Sequence, residues 1–286
     1  MAKTYNAIDM KGRLYNYKLE IIQTEKGEAI SGEVELEVDE NGTRVSARFF
    51  GYPTYNSGKP NKTYVILDDM LAGDYKTVVD NGEDADWLGM SGSIEVGYFV
   101  AKNANTDDGI VRSQKIRGNF INPNGKKEYS NKWKLDMIIT EVIDVDANEE
   151  RQLPRYVKTN GYFVDDYNER VMWVEFQARS EAAMNYIIGL DPSIETPYYV
   201  PVWGSISSIK RVVITESAFG DPKIEEYNNT AWEITGMQTS PYDWNDEATM
   251  TDEQFEEYRA ALAEFKEAQK KKAEAANGES DDDLPF

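Results

Sequence analysis

Val34-Glu35-Leu36-Glu37-Val38-Asp39-Glu40-Asn41-Gly42-Thr43-Arg44-Val45-Ser46-Ala47-Arg48-Phe49-Phe50 alternates apolar and polar residues on both sides of Asn41-Gly42. Alternation of period two belongs to a half-buried strand, and Asn-Gly between two such runs is a strong hairpin signal. A two-residue turn there sets Val38 opposite Val45, Leu36 opposite Ala47 and Val34 opposite Phe49 on one apolar side. The other side pairs Asp39 with Arg44 and Glu35 with Arg48.

Working outward, residues 65–79 have helical character, 93–100 form a strand, and Trp133 to Ile143 form a last strand. The order then repeats more weakly. Strands at 162–165 and 171–178 flank a turn, Ser180 caps a helix over 181–190, and strands follow at 198–206, 211–215 and 232–237. Two or three strands, a helix and two more strands is the order of an OB-fold barrel. The chain is therefore expected to be mainly β, with OB-fold barrels, two in tandem, over 1–150 and 151–242; one elaborated domain is the alternative. A C-terminal helical segment is expected over 243–276. It opens on the capping box Thr251-Asp252-Glu253-Gln254, carries Phe255, Tyr258, Leu262 and Phe265 on one narrow stripe, and ends in Lys270-Lys271-Lys272. Residues 277–286 have the composition of a disordered acidic tail.

Neither cysteine nor histidine occurs, which excludes disulfides, thiolate and imidazole catalysis, and zinc sites built on either residue. No apolar run is long enough to span a bilayer and no signal peptide is recognisable, so a cytoplasmic protein with no membrane contact is expected. The net charge of -21 argues against a polyanionic partner, but its distribution is uneven: residues 1–150 carry -8, 151–242 carry -4, and 243–286 carry -9.

Within the first part, Lys102, Arg112, Lys115, Arg117, Lys126, Lys127, Lys132 and Lys134 face only Asp107, Asp108 and Glu128, a net of +5. Pro123-Asn124-Gly125-Lys126 reads as a second two-residue hairpin turn, placed in the loop between strands 4 and 5 of a barrel. Its register sets Phe120 against Tyr129 and Ile116 against Trp133, with Arg117 against Lys132 and Lys115 against Lys134 on the other side. Like charges facing each other destabilise a strand pair, and a polyanion laid along them relieves the repulsion. Phe120, Tyr129 and Trp133 are candidate base-stacking rings, since cations that track the backbone and aromatic rings that stack bases are the general mode of single-strand binding. The bland alternative makes the rings a core contact and the lysines a solvated face. A second candidate surface is Phe50, Tyr52, Tyr55, Lys59 and Lys62.

Other motifs fail. Asn56-Ser57-Gly58-Lys59-Pro60 has Pro53 where a phosphate loop needs its first glycine, and Pro60 where it needs Ser or Thr. Asp144, Asp146 and Asn148 imitate a calcium loop, but Arg155 stands at the bidentate glutamate position. No acidic cluster has convincing metal spacing. No enzyme activity and no cofactor are expected.

The terminal Asp281-Asp282-Asp283-Leu284-Pro285-Phe286 resembles the acidic tip of bacterial single-stranded-DNA-binding proteins, most closely the Gram-positive form. The resemblance implies docking onto replication, repair and recombination proteins, with Phe286 as anchor, Leu284 and Pro285 shaping the apolar end, and the aspartates steering towards basic surroundings. The body departs from that family's single barrel and long linker, which puts its tetramer in doubt, leaves self-association open, and looks like a phage-encoded counterpart. The expected function is sequence-independent binding and protection of single-stranded DNA; the alternative is a structural β-rich virion or assembly protein.

Overall fold

The computed structural model describes residues 5–100, 110–149, 153–165, 170–215, 219–221 and 223–242, with scattered positions between 252 and 271. Among the described residues ten strands form one sheet system: β1 (Asn6–Thr24), β2 (Gly27–Glu37), β3 (Arg44–Gly51), β4 (Trp87–Val100), β5 (Ile110–Pro123), β6 (Ser130–Val145), β7 (Tyr156–Asp165), β8 (Arg170–Ala178), β9 (Tyr198–Thr215) and β10 (Lys223–Met237). Helix α1 (Lys62–Ala72) and the short α2 (Val78–Asn81) lie between β3 and β4, and α3 (Glu181–Ile188) lies between β8 and β9.

The pairings trace two circuits with one plan. In the first, β1 pairs with β2, β2 with β3, β3 with β5, β5 with β4, and β4 with β1. In the second, β6, β7, β8, β10 and β9 follow the same order back to β6. The closing contact of each circuit is its one parallel pair: Ala47 with Ile116 and Arg48 with Arg117 in the first, Gln177 with Glu233 in the second. Strands β1 and β6 pair antiparallel from Asn6–Leu135 to Lys11–Ser130 and so join the circuits.

The strand expected over 133–143 is thus part of β6, which pairs with β1, β7 and β9 rather than with β5. The expected 123–126 hairpin does not form. Both edges of β5 are taken, by β4 and β3, and residues 124–129 serve as a connector in which Asn124 Nδ2 donates to the Glu128 carbonyl at 2.8 Å. Arg117 therefore does not face Lys132, nor Lys115 face Lys134.

The β2–β3 hairpin forms with its register moved by two residues. Leu36 pairs with Val45, Val34 with Ala47, Glu37 with Arg44 and Glu33 with Arg48. Asp39 causes the shift. Its Oδ1 accepts the amides of Asn41 and Thr43, both at 2.9 Å, and builds a four-residue loop in which Gly42 takes the left-handed φ of 76°. Because the shift is even, every apolar residue keeps its inward face.

Asn61 caps α1 by accepting from Thr63 and Tyr64, and Gly73 ends it in the left-handed region. Ser180 caps α3 through the Ala183 amide at 3.3 Å. One apolar cluster holds residues of both circuits, among them Met10, Leu36, Phe49, Leu67 and Ile116 of the first and Trp133, Phe163, Phe176 and Val202 of the second. The described positions between 252 and 271 are helical; Phe255, Tyr258, Leu262, Phe265 and residues 272–286, the acidic tip included, lie outside the described residues. Among the described residues no helix is long and apolar enough to cross a membrane.

Candidate nucleic-acid interface

Strand β3 turns Val45, Ala47, Phe49 and Gly51 inward and exposes Arg44, Ser46, Arg48 and Phe50. On neighbouring β5, Lys115 is exposed, Ile116 is buried and Phe120 is 51% exposed. The parallel register sets Ala47 beside Ile116 and Arg48 beside Arg117. Two arginines side by side across a strand pair, with Glu33 on the other side of Arg48, form a cationic row that a phosphate can bridge. This is the juxtaposition of cations sought in the sequence, with β3 in place of the 126–134 segment as the partner of β5.

The face opens into a cleft of about 1040 Å³. From the first circuit it is lined by Arg44, Arg48, Arg112 and Lys115, and from the second by Lys158, Gln177, Trp173 and Trp232. A hydrogen bond of 3.2 Å from the Glu175 amide to Gln114 Oε1 ties β8 to β5 at its wall. Several cations are already held against aromatic faces, Arg44 at 3.8 Å over Tyr15 and Arg112 at 5.3 Å over Trp173, so their guanidinium planes are positioned before any ligand arrives. Four carboxylates share the cleft: Glu33, Glu35, Glu141 and Glu175. Glu175 is paired with Lys158, and Glu141 accepts from Asn160 Nδ2 at 2.7 Å. Burial pushes the Glu35 carboxyl above the usual range, against the pull of Arg44. The lining is thus mixed in charge.

The other sequence candidates scatter. Phe50 is 53% exposed and meets Tyr52 edge to face at 5.3 Å, while Tyr52 reaches Thr24 at 3.1 Å. Tyr55 and Lys59 lie in the exposed loop before α1, and Lys62 is that helix's exposed first residue. Lys126 and Lys127 are exposed in the β5–β6 connector. Tyr129 is half-buried with its ring 4.7 Å from that of Trp87. Lys132 and Lys134 are exposed on β6. Lys102 lies outside the described residues, between β4 and β5 in sequence, whereas 123–126 follows the fifth strand.

Trp133 is a correction. It is 2% exposed, stacks on Phe176 at 4.4 Å and donates from Nε1 to the Ser205 carbonyl at 3.1 Å. A ring so enclosed offers no face to a base. Sequence reasoning also passed over Arg44 and Arg48, which it paired with Asp39 and Glu35, and Lys158 and Trp173. The alternation of β3 marked the two arginines as outward, but their neighbours depend on the loop at Asp39. Among the described residues no group of three or more acidic side chains is arranged to hold a metal ion.

The YorF family matches residues 4–278. The chain belongs to the YorF family. No curated protein matches this YorF-family chain by sequence. The single-stranded DNA binding protein from Thermus aquaticus is similar in structure, with a TM-score of 0.50 and 16% identity over 86% of this chain and 98% of that one. At that identity the likeness speaks for the fold alone, and it fits the OB-type strand order. A Replication Protein A heterotrimer bound to ssDNA matches 93% of this chain and 53% of that one, at a TM-score of 0.22 and 11% identity, too low to bear on the fold.

Proposed function

We propose that this YorF-family protein binds single-stranded DNA without regard to sequence and without catalysis, along the β3–β5 face and the cleft it opens into. The observation that carries this reading is the Arg48–Arg117 neighbourhood, continued by Lys115 and Arg44 into a cleft whose far wall offers Trp173. Phosphates bridge the arginines while bases stack on the exposed rings, a mode that needs no base-edge hydrogen bonds. Each circuit is read as one OB barrel, two in tandem, and the likeness to the Thermus aquaticus protein supports that reading. The protein protects the strand during replication and recombination in the cytoplasm, that of the host cell if phage-encoded. Asp281 to Phe286 recruits replication and recombination proteins; the composition and terminal position of that stretch support it.

Titration of oligo(dT) and of duplex DNA in a gel shift tests the reading. Tight binding of oligo(dT) with weak duplex binding is expected. With about four phosphate contacts, log K should fall against log salt with a slope of roughly -3. Equal affinity for both DNAs refutes the single-strand reading, and none for either refutes DNA binding and favours a structural assembly role.

A further inference from the structure

A second groove of about 470 Å³ lies away from the cleft, where β1, β6 and β9 meet and the two circuits join. Its lining includes Tyr5, Lys132, Lys134, Trp203 and Thr235. Trp203 is 41% exposed although it sits on a strand between two partners. Its indole lies against Gly236, where an added Cβ would stand 2.4 Å from Nε1, at the bulge that breaks the β9–β10 register between Ile234 and Gly236. The ring is thus braced from behind by backbone and open in front, the geometry of a stacking platform. Beside it in register is Lys134, whose other neighbour is Ala7 and whose ammonium sits 4.6 Å over the exposed Tyr5 ring. Neither cross-strand neighbour of Lys134 is acidic. Lys132 follows on the same face, opposite Asp9.

We infer that this groove is a nucleotide subsite separate from the cleft: a base of single-stranded DNA stacks on Trp203 and its phosphate is held by Lys134, with Lys132 next along the strand. The braced indole supplies the apolar plane, and the ammonium supplies the charge that a single-stranded polyanion complements. A duplex cannot present an unstacked base to the indole. Because the groove lies on the seam between the circuits, a strand that occupies it together with the cleft contacts both, and footprint and affinity grow with length beyond what the cleft alone provides. This rests on the proposed single-stranded-DNA function.

Anisotropy titrations of the full chain with oligo(dT) of increasing length separate the two claims. For oligomers long enough to reach both sites, Trp203→Ala should lose about tenfold in affinity, with Trp203→Phe intermediate and Lys134→Ala steepening the loss. For short oligomers that fill only the cleft, all three should match the unaltered protein. Equal affinity of Trp203→Ala and the unaltered protein at every length overturns the inference while leaving the cleft reading intact. A loss independent of length, with an unchanged melting temperature, also overturns it, since Trp203 would then serve the primary site. If the unaltered protein binds no oligomer, both readings fall. Should Trp203→Ala not fold, the Trp203→Phe and Lys134→Ala length series decide by the same criteria.

Discussion

In the first circuit the row across β2, β3, β5 and β4 reads Glu33, Arg48, Arg117, Ser93; the matching row across β7, β8, β10 and β9 of the second reads Lys158, Gln177, Glu233, Ser205. The pairing geometry is the same residue for residue, while the chemistry at the closing seam is opposite: two adjacent cations in one, an amide beside a carboxylate in the other. The interiors differ too. The second circuit is built around the aromatic group Trp133, Phe176 and Trp232, with ring centroids 4.4 to 6.3 Å apart. The first buries Phe49 among aliphatic residues and methionines such as Leu36, Met10 and Met90. One topology therefore carries a cationic seam on the first copy and the heavier aromatic core in the second.

The largest effect expected from this contrast is on stability. Trp133→Ala removes the stacked partner of Phe176 and leaves a cavity, which costs about 3–5 kcal/mol. Chemical denaturation should show that loss, with oligo(dT) affinity nearly unchanged wherever the variant is still folded. If Trp133→Ala instead keeps its stability and loses DNA, the ring is a stacker after all. Next in size is the seam. Reversing Arg48 and Arg117 to glutamate removes two charge-assisted contacts, at about 1.5–3 kcal/mol each, so oligo(dT) affinity should fall on the order of 100-fold or more. The salt slope should flatten by about 1.4. The matched change in the second circuit, Gln177→Glu, should cost less than the double reversal, because it adds one negative charge to the cleft wall and removes no cation. Comparable losses from both would erase the distinction between the copies.

Little of this division could be read from the chain alone. The alternation over 34–50 marked which β3 residues point outward, but the strand expected over 133–143 as the last of the first unit, 1–150, lies in β6, which pairs with β7 and β9 in the second circuit. What could not be read were partners set by a single side chain or by distant edges. Asp39 converts an apparent two-residue Asn-Gly turn into a four-residue loop, and that changes which glutamate stands beside each arginine. Pro123-Asn124-Gly125-Lys126 has good turn chemistry, yet β5 already has both edges occupied and β6 finds its partners in β1, β7 and β9. Local turn signals cannot report that an edge is already paired. Trp203 was missed for a similar reason: its brace, Gly236, is 33 residues away in sequence, and only the bulge in β10 brings it beneath the indole.

The smallest predicted effect concerns a clamp on the second circuit. Asp136, 6% exposed on β6, accepts the Tyr5 amide at 2.7 Å and the Tyr242 hydroxyl at 3.1 Å, so one carboxylate fastens the segment entering β1 and the segment leaving β10. Tyr242 also packs edge to face on Tyr199 at 4.9 Å. Burial, and then the neighbouring Asp136 charge, push the Tyr242 hydroxyl from the ordinary 10.0 up to about 12. A pKa raised on folding means that the folded state holds its proton longer than the unfolded chain does. The associated stability is therefore complete below pH 10 and is lost as pH rises from 10 to about 12. Tyr242→Phe has no proton to lose there, so its stability should fall less steeply over that interval in urea melts taken at successive pH values. Some slope must persist, because burial also raises Tyr64, Tyr75, Tyr129, Tyr162 and Tyr198. Identical slopes in the two proteins would mean that the hydroxyl is not held against Asp136, and that the two chain segments are fastened by the Tyr5 amide, the Tyr199 ring and backbone hydrogen bonds such as Tyr242 N–H to the Tyr199 carbonyl at 2.8 Å.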